Sequence, residues 1–295
     1  MNIEDEAAAD IRRRIRALGA RFDAEVLART REIYQRHVNV AAAAHERQDI
    51  AYGNHPRHRL DLYLPTGRPA GAIVFFHGGG FVAGDKNQDG TFYRNVGRYF
   101  ASQGLLAVLP NYRLAPDHPW PAGAEDVGAA LAWLRDNAAG LGVDAARVVV
   151  LGQSAGACHL ASWLFGAGAG PGRRGEPITP AGVLLMSGLF QVQAPLGANQ
   201  RAYFGADEAL YPARSVLAHV APLAMPIWLS VAEFDPGPMA AHTFELAGAL
   251  GRCQPCAPQF AWLPGHNHVS TVHSLGTVQT DVASAIMRFV RACLP

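Results

Sequence analysis

Val149-Val150-Leu151-Gly152-Gln153-Ser154-Ala155-Gly156-Ala157 joins an apolar run to a Gly-x-Ser-x-Gly pentapeptide, and small, helix-compatible residues follow. The pattern predicts a buried strand, a sharp turn carrying Ser154, and a helix. The glycines two residues either side of the serine have a steric purpose, because such a turn brings neighbouring chain segments too close for side chains. It lifts the hydroxyl out of the sheet edge and sets it at a helix start, where amides and the helix dipole favour developing negative charge. Alone, the pentapeptide also fits an ordinary strand-to-helix turn in a chain rich in Gly and Ala.

Its company separates the two readings. Ala72-Ile73-Val74-Phe75-Phe76 reads as a short buried strand that runs into His77-Gly78-Gly79-Gly80-Phe81. Three consecutive glycines are costly to order, and after a buried strand they point to backbone that approaches a ligand closely with its N–H groups aimed at it. In acyl transfer such groups form an oxyanion hole: Gly78 and Gly79 would offer two amides, and Ala155, just after the serine, a third.

A serine hydroxyl is a poor nucleophile at neutral pH, so it needs a histidine base, and the base needs a carboxylate to fix its tautomer. The chain order for this architecture is Ser, acid, His, each at the C-terminal end of a strand. Two strand candidates fit. Ile227–Ala232 empties into Glu233-Phe234-Asp235-Pro236, and Phe260–Leu263 empties into Pro264-Gly265-His266-Asn267-His268. Asp235 is the favoured acid because Pro236 and Gly237 place it in a turn beyond the strand; Glu233 is then a structural carboxylate. His268 is the favoured base because it leads into the approach to the last helix, leaving His266 as a loop or pocket residue. His37, His45, His55 and His58 read as solvated or capping groups.

Taken together, these residues resemble the bacterial branch of the hormone-sensitive-lipase-like esterases, a family of the α/β-hydrolase fold. The resemblance rests on His77-Gly78-Gly79-Gly80, Gly84-Asp85-Lys86, Asn111-Tyr112-Arg113-Leu114-Ala115-Pro116, Pro119-Trp120-Pro121-Ala122, Glu125-Asp126-Val127, Gly152–Gly156, Glu233-Phe234-Asp235-Pro236 and Asn267-His268, all in the family's order. It implies Ser154 as nucleophile, Asp235 as acid, His268 as base, and Gly78, Gly79 and Ala155 as oxyanion donors. It also implies that His77 shapes the glycine loop and is no base, and that Tyr112, Arg113 and Asp126 brace the site from below. Two departures stand out: Gly237-Pro238 follows Asp-Pro where many relatives carry an aliphatic residue, and Val269 follows the histidine where many carry an aromatic one. Both bear on the shape of the acyl pocket.

The chain has 295 residues, 49% of them hydrophobic and 17% charged, a globular composition, and its net charge of +1 gives no reason to expect nucleic acid or an acidic membrane as partner. Lys86 is the only lysine among scattered arginines, a coding bias more than a binding surface. Cys158, Cys253, Cys256 and Cys293 form no disulfide framework; the Cys253/Cys256 pair lacks a second pair or nearby histidines, so free thiols and a reducing cytoplasm are expected over zinc. Met1 to Asp10 is acidic and without an apolar core, so no secretory signal is expected, and no apolar run is long enough to span a bilayer.

The whole chain, 1–295, is expected to form one α/β domain with a mostly parallel sheet and cap elements at 1–45 and 187–222. Strands are predicted at His58–Leu64, Ala72–Phe76, Leu105–Leu109, Arg147–Leu151, Gly182–Met186, Ile227–Ala232 and Gln259–Leu263. Helices are predicted at Phe92–Ser102, Ala122–Asn137, Ala155–Phe165, Met239–Leu250 and Val278–Ala292. Ile11, Ile15, Leu18, Phe22 and Val26 predict one amphipathic N-terminal helix, which by resemblance belongs to the cap. Gly166–Pro177 reads as a surface loop. Phe190, Tyr203, Phe204 and Tyr211 either line a pocket or form the cap's own core. The expected activity is ester hydrolysis without metal or organic cofactor, on a small-molecule ester of short to medium acyl chain. An arylformamidase-like amide hydrolase is the alternative, and a non-catalytic receptor is disfavoured because both histidines are present. Relatives pair through a sheet edge, which leaves a homodimer open; no interface is legible in the sequence.

Overall fold

The computed structural model describes residues 3–167 and 178–294. They build an eight-stranded sheet of β1 (His45–Ala51), β2 (Arg59–Leu64), β3 (Ala72–Phe76), β4 (Leu106–Pro110), β5 (Val148–Gln153), β6 (Gly182–Met186), β7 (Ile227–Ala232) and β8 (Gln259–Leu263). The helices are α1 (Ile3–Leu18), α2 (Ala24–Gln35), α3 (Arg94–Ser102), α4 (Ala122–Asn137), α5 (Ala155–Phe165), α6 (Ala198–Phe204), α7 (Tyr211–Arg214), α8 (Gly237–Cys253), α9 (Ser270–His273) and α10 (Asp281–Cys293). The strand order is β1-β2-β4-β3-β5-β6-β7-β8. β1 and β2 join antiparallel and the strands from β4 to β8 run parallel.

The central strands are continuous apolar runs because both faces are covered. Val148 and Val150 of β5 pack among Leu131 and Leu134 of α4 and Leu160 of α5. Val149 and Leu151, one residue out of phase, pack among Phe100 of α3 and Ile286 and Phe289 of α10. Alternation along one strand therefore feeds two cores, one on each side of the sheet.

Strand register sets where the loops emerge. Phe76 pairs with Gly152, Gln153 with Met186, and Ala232 with Leu263. These strands end level, so the loops after β3, β5, β7 and β8 meet at one carboxyl edge of the sheet, where open α/β sheets bind ligands. That edge carries His77–Gly80, Ser154, Asp235 and His268.

Three sequence expectations are corrected. The single N-terminal helix is two, because Gly19 takes a left-handed φ of 70° and ends α1, while Asp23 caps α2 by accepting from the Val26 amide. Phe22 thus lies in the turn, not on a helical stripe. β1 was unexpected, since His-Glu-Arg-Gln-Asp-Ile-Ala is mostly exposed and has one neighbouring strand; charge on an edge strand hides its periodicity. His58 is not a solvated group: its Nε2 stands 3.0 Å from Asp126 Oδ1.

Elsewhere the expected strands and helices are present, six of them with the expected bounds and the rest with ends shifted by up to three residues. Of the expected loop at Gly166–Pro177, all but its first two residues lie outside the described residues. The segment 187–222 contains α6 and α7, and Tyr203, Phe204 and Tyr211 bury themselves with Phe81 and Cys158 in a small core of their own. Phe190 joins the core under α4 and α5, so none of the four aromatics lines the cavity above Ser154.

Candidate active site

Ser154 occupies the turn between β5 and α5 with φ 55° and ψ −121°, a left-handed backbone that a non-glycine residue rarely holds. Neighbouring glycines permit it. A Cβ at Gly156 would collide with the carbonyls of Phe76 and His77, and one at Gly152 would stand 2.6 Å from the Gly156 carbonyl oxygen. The turn therefore presses β5, α5 and the end of β3 together in a way only glycine allows.

His268 Nε2 lies 2.8 Å from Ser154 Oγ, and His268 Nδ1 lies 2.7 Å from Asp235 Oδ1. A carboxylate only accepts, so Nδ1 carries the proton and Nε2 is left to accept from the serine hydroxyl. The other oxygen, Asp235 Oδ2, accepts from Ser187 Oγ at 2.6 Å and from the Ala232 amide at 2.9 Å. Burial pushes the Asp235 carboxyl up, but the His268 charge and the hydrogen bonds from His268, Ser187 and Ala232 outweigh it and hold it below its ordinary value. Ser187 was not singled out in the sequence. Its left-handed φ of 48° at the end of β6 is the signal that a turn residue has been fixed for a purpose.

The competing residues stand elsewhere. Glu233 accepts from the Gly265 amide at 2.6 Å and lies 3.7 Å from Arg16, so it clasps the loop after β8 to α1. His266 is fully buried away from the serine, with Ser270 Oγ on Nδ1 at 3.0 Å and Gln279 and Asp281 on Nε2. Two contacts hold the loop that carries His268, one from the end of β5 and one from α2. Gln153 Nε2 donates to the His268 carbonyl at 2.9 Å, and Asn267 Nδ2 donates to Thr30 Oγ1 of α2 at 2.7 Å.

The glycine run passes directly over the serine. A Cβ on Gly78 would stand 3.2 Å from Ser154 Cβ, Gly79 sits at φ 150° against the Ala83 carbonyl, and Gly80 at φ 58° lines the cavity with Ala155. His77 braces this loop. Its Nδ1 stands 2.7 Å from the Gly78 carbonyl, its carbonyl accepts from Tyr112 OH at 2.8 Å, and burial pushes its pKa down to about 4. Beneath, Arg113 pairs with Asp126 at 2.8 Å. Lys86 is buried between Asp49 and Asp61, and although burial works against its charge, the two carboxylates hold its pKa above the ordinary value.

Above the serine lies a cavity of about 780 Å³. Phe22 closes one side, its ring edge-on to the His268 ring with centroids 4.6 Å apart. α8 supplies another wall, and the segment 189–200 a third.

The fold has solved counterparts. An esterase from the archaeon Pyrobaculum calidifontis superposes with a TM-score of 0.74 at 22% identity, covering 97% of this chain and 98% of that one. A structure described as an arylesterase superposes at 0.72 with 18% identity, covering 98% of each. The chain has the α/β-hydrolase fold. Residues 60–169 match the family model described as BD-FAE. The chain is 40% identical over 100 residues to Esterase LipI and 42% identical over 84 residues to Carboxylesterase NlhH, both of Mycobacterium tuberculosis. These alignments cover 32% and 28% of this chain, and 30% and 25% of the relatives' own lengths. The kinship with hormone-sensitive-lipase-like esterases read from the motifs is borne out by these relatives. Among the described residues no helix is long and apolar enough to cross a membrane.

Proposed function

We propose that the chain is a serine carboxylesterase acting on small-molecule esters through Ser154, His268 and Asp235. The observation that carries this reading is the continuous chain of hydrogen bonds from Ser154 Oγ through His268 to Asp235, 2.8 and 2.7 Å long, under a cavity wide enough for a small ester. His268 takes the serine proton as Oγ attacks the ester carbonyl. The resulting oxyanion is held by the Ala155 amide, which has no intrahelical acceptor at a helix start, and by the glycine run. Gly78 and Gly79 are the expected donors there; exposure of Gly80 to the cavity supports placing the donating stretch one residue further along, at Gly79 and Gly80. His268 then protonates the leaving alcohol, the acyl group stays on Ser154, and water activated by the same histidine releases the acid.

The test is a panel of p-nitrophenyl acetate, butyrate, octanoate and palmitate beside an aryl formamide. Turnover of the shorter esters exceeding that of the formamide supports the ester reading. Faster formamide turnover would move the chain to the arylformamidase alternative.

A homodimer is part of the same proposal. β8 has a single neighbouring strand, and Trp262 at 55% exposure stands near the stacked, exposed pair Phe244 and Phe260. Sedimentation as a dimer that Trp262→Glu converts to a monomer supports it; a wild-type monomer counts against it. The four cysteines are free thiols, which supports placement in a reducing cytoplasm.

A further inference from the structure

α8 turns one face to the Ser154 cavity: Pro238, Ala241, His242 and Glu245 recur at helical spacing and all line it. Glu245 brings a carboxylate to that wall, its side chain 47% exposed. Apart from the histidines, every other polar side chain lining the cavity is neutral, Gln191, Gln193, Asn199 and Gln200 among them, and neither lysine nor arginine contributes. The glutamate thus faces the substrate space without a cation to neutralise it.

His242 does not supply one. Its Nδ1 is buried without a hydrogen-bond partner and stands 4.0 Å from Glu245 Oε2, too far for a hydrogen bond. Burial lowers its pKa, which favours the neutral ring. The ring nitrogen is buried and the carboxylate is exposed, so Glu245 is the group that offers the cavity a place for a cationic or hydrogen-donating partner. The Phe22 ring lines the same space and offers an aromatic surface of the kind alkylammonium groups favour.

Building on the esterase reading, we propose that this cavity selects esters that carry a cationic group remote from the scissile carbonyl, with Glu245 as the selecting residue. Carboxylate-bearing esters are disfavoured by the same charge. The cationic group enters on the alcohol or the acyl side, and the substrates of the test cover both.

The test compares kcat/KM within two isosteric pairs at low ionic strength. One is butyrylcholine against 3,3-dimethylbutyl butyrate, and the other ethyl 4-(trimethylammonio)butanoate against ethyl 5,5-dimethylhexanoate. The expected result is a preference of about fivefold for the ammonium ester in at least one pair, as an exposed ion pair permits, shrinking when salt is raised. Glu245→Gln should bring the ratio to about one, and Glu245→Lys should invert it. Equal rates within both wild-type pairs, or a ratio that survives in Glu245→Gln, would overturn the proposal. Calorimetric binding of the same four esters to Ser154→Ala separates this from the esterase reading. Tighter binding of the ammonium member in a protein that turns over no ester upholds the selectivity alone, and equal binding sinks it even where wild type hydrolyses p-nitrophenyl butyrate.

Discussion

Asp235 shows how a single side chain sets the chemistry of its neighbour. Its Oδ1 fixes the protonated nitrogen of His268, and its Oδ2 is saturated by Ser187 and Ala232, so the carboxylate cannot swing away. Asp235→Asn would offer an amide donor to Nδ1 and favour the wrong tautomer, and kcat on p-nitrophenyl butyrate is expected to fall about 10⁴-fold. The folded carboxyl sits below its unfolded value, so its contribution to stability is present above the ordinary carboxylate pKa and is lost as pH falls through the folded value. The stability gap between wild type and Asp235→Asn in urea titrations should therefore be open at pH 7 and closed in strong acid. At this scale the sequence was partly legible. Ser154 was plain because glycines must flank a strained turn. His266 and His268 look alike in one dimension, and what separates them is that Ser270, Gln279 and Asp281 fold back onto His266.

Among the elements, the turn between α1 and α2 has the most direct bearing on the site. It places Phe22 against His268 from a helix pair that is itself tied to the histidine loop by Asn267 and Thr30, and to the chain before α10 by Tyr34 and Gln279 at 2.5 Å. Phe22→Ala removes an aromatic contact of the kind that contributes about 0.5–1.5 kcal/mol. A loss of about twofold to tenfold in kcat/KM is expected, with little change in thermal midpoint because Phe22 is 41% exposed. A large drop in midpoint with unchanged kinetics would assign Phe22 to packing alone. The helical spacing of Ile11, Ile15, Leu18, Phe22 and Val26 concealed this turn, since a cap at Asp23 and a left-handed Gly19 leave the apolar period almost unbroken. α5 illustrates the opposite case: Gly156 is demanded by the Phe76 and His77 carbonyls, and Gly156→Val is expected to prevent folding, read as loss of soluble protein.

Across the whole molecule, the parallel strands were legible because burial on both faces writes them as short apolar runs, whereas β1 and the small core around Phe81 were not, since charge on an edge and tertiary packing leave no period. The same deep burial gives the molecule an acid liability. His159 and His273 are buried among aromatic rings, and burial holds both down at about 3, against 6.5 for an exposed imidazole. The unfolded chain binds protons there first, so stability is full above about pH 6.5 and falls as pH drops from there towards 3. Urea midpoints should decline across that window before most carboxylates titrate, and a midpoint flat from pH 7 to 5 would contradict neutral buried rings. The level strand ends bring Ser154, His268 and Asp235 to one sheet edge from loops that lie far apart in sequence, and it is this convergence that we propose hydrolyses esters. The most direct measurement is p-nitrophenyl butyrate turnover by wild type and by Ser154→Ala of matched circular dichroism. The expected result is a loss of at least about 10⁴-fold; near-native turnover by Ser154→Ala would contradict a role for this serine as nucleophile.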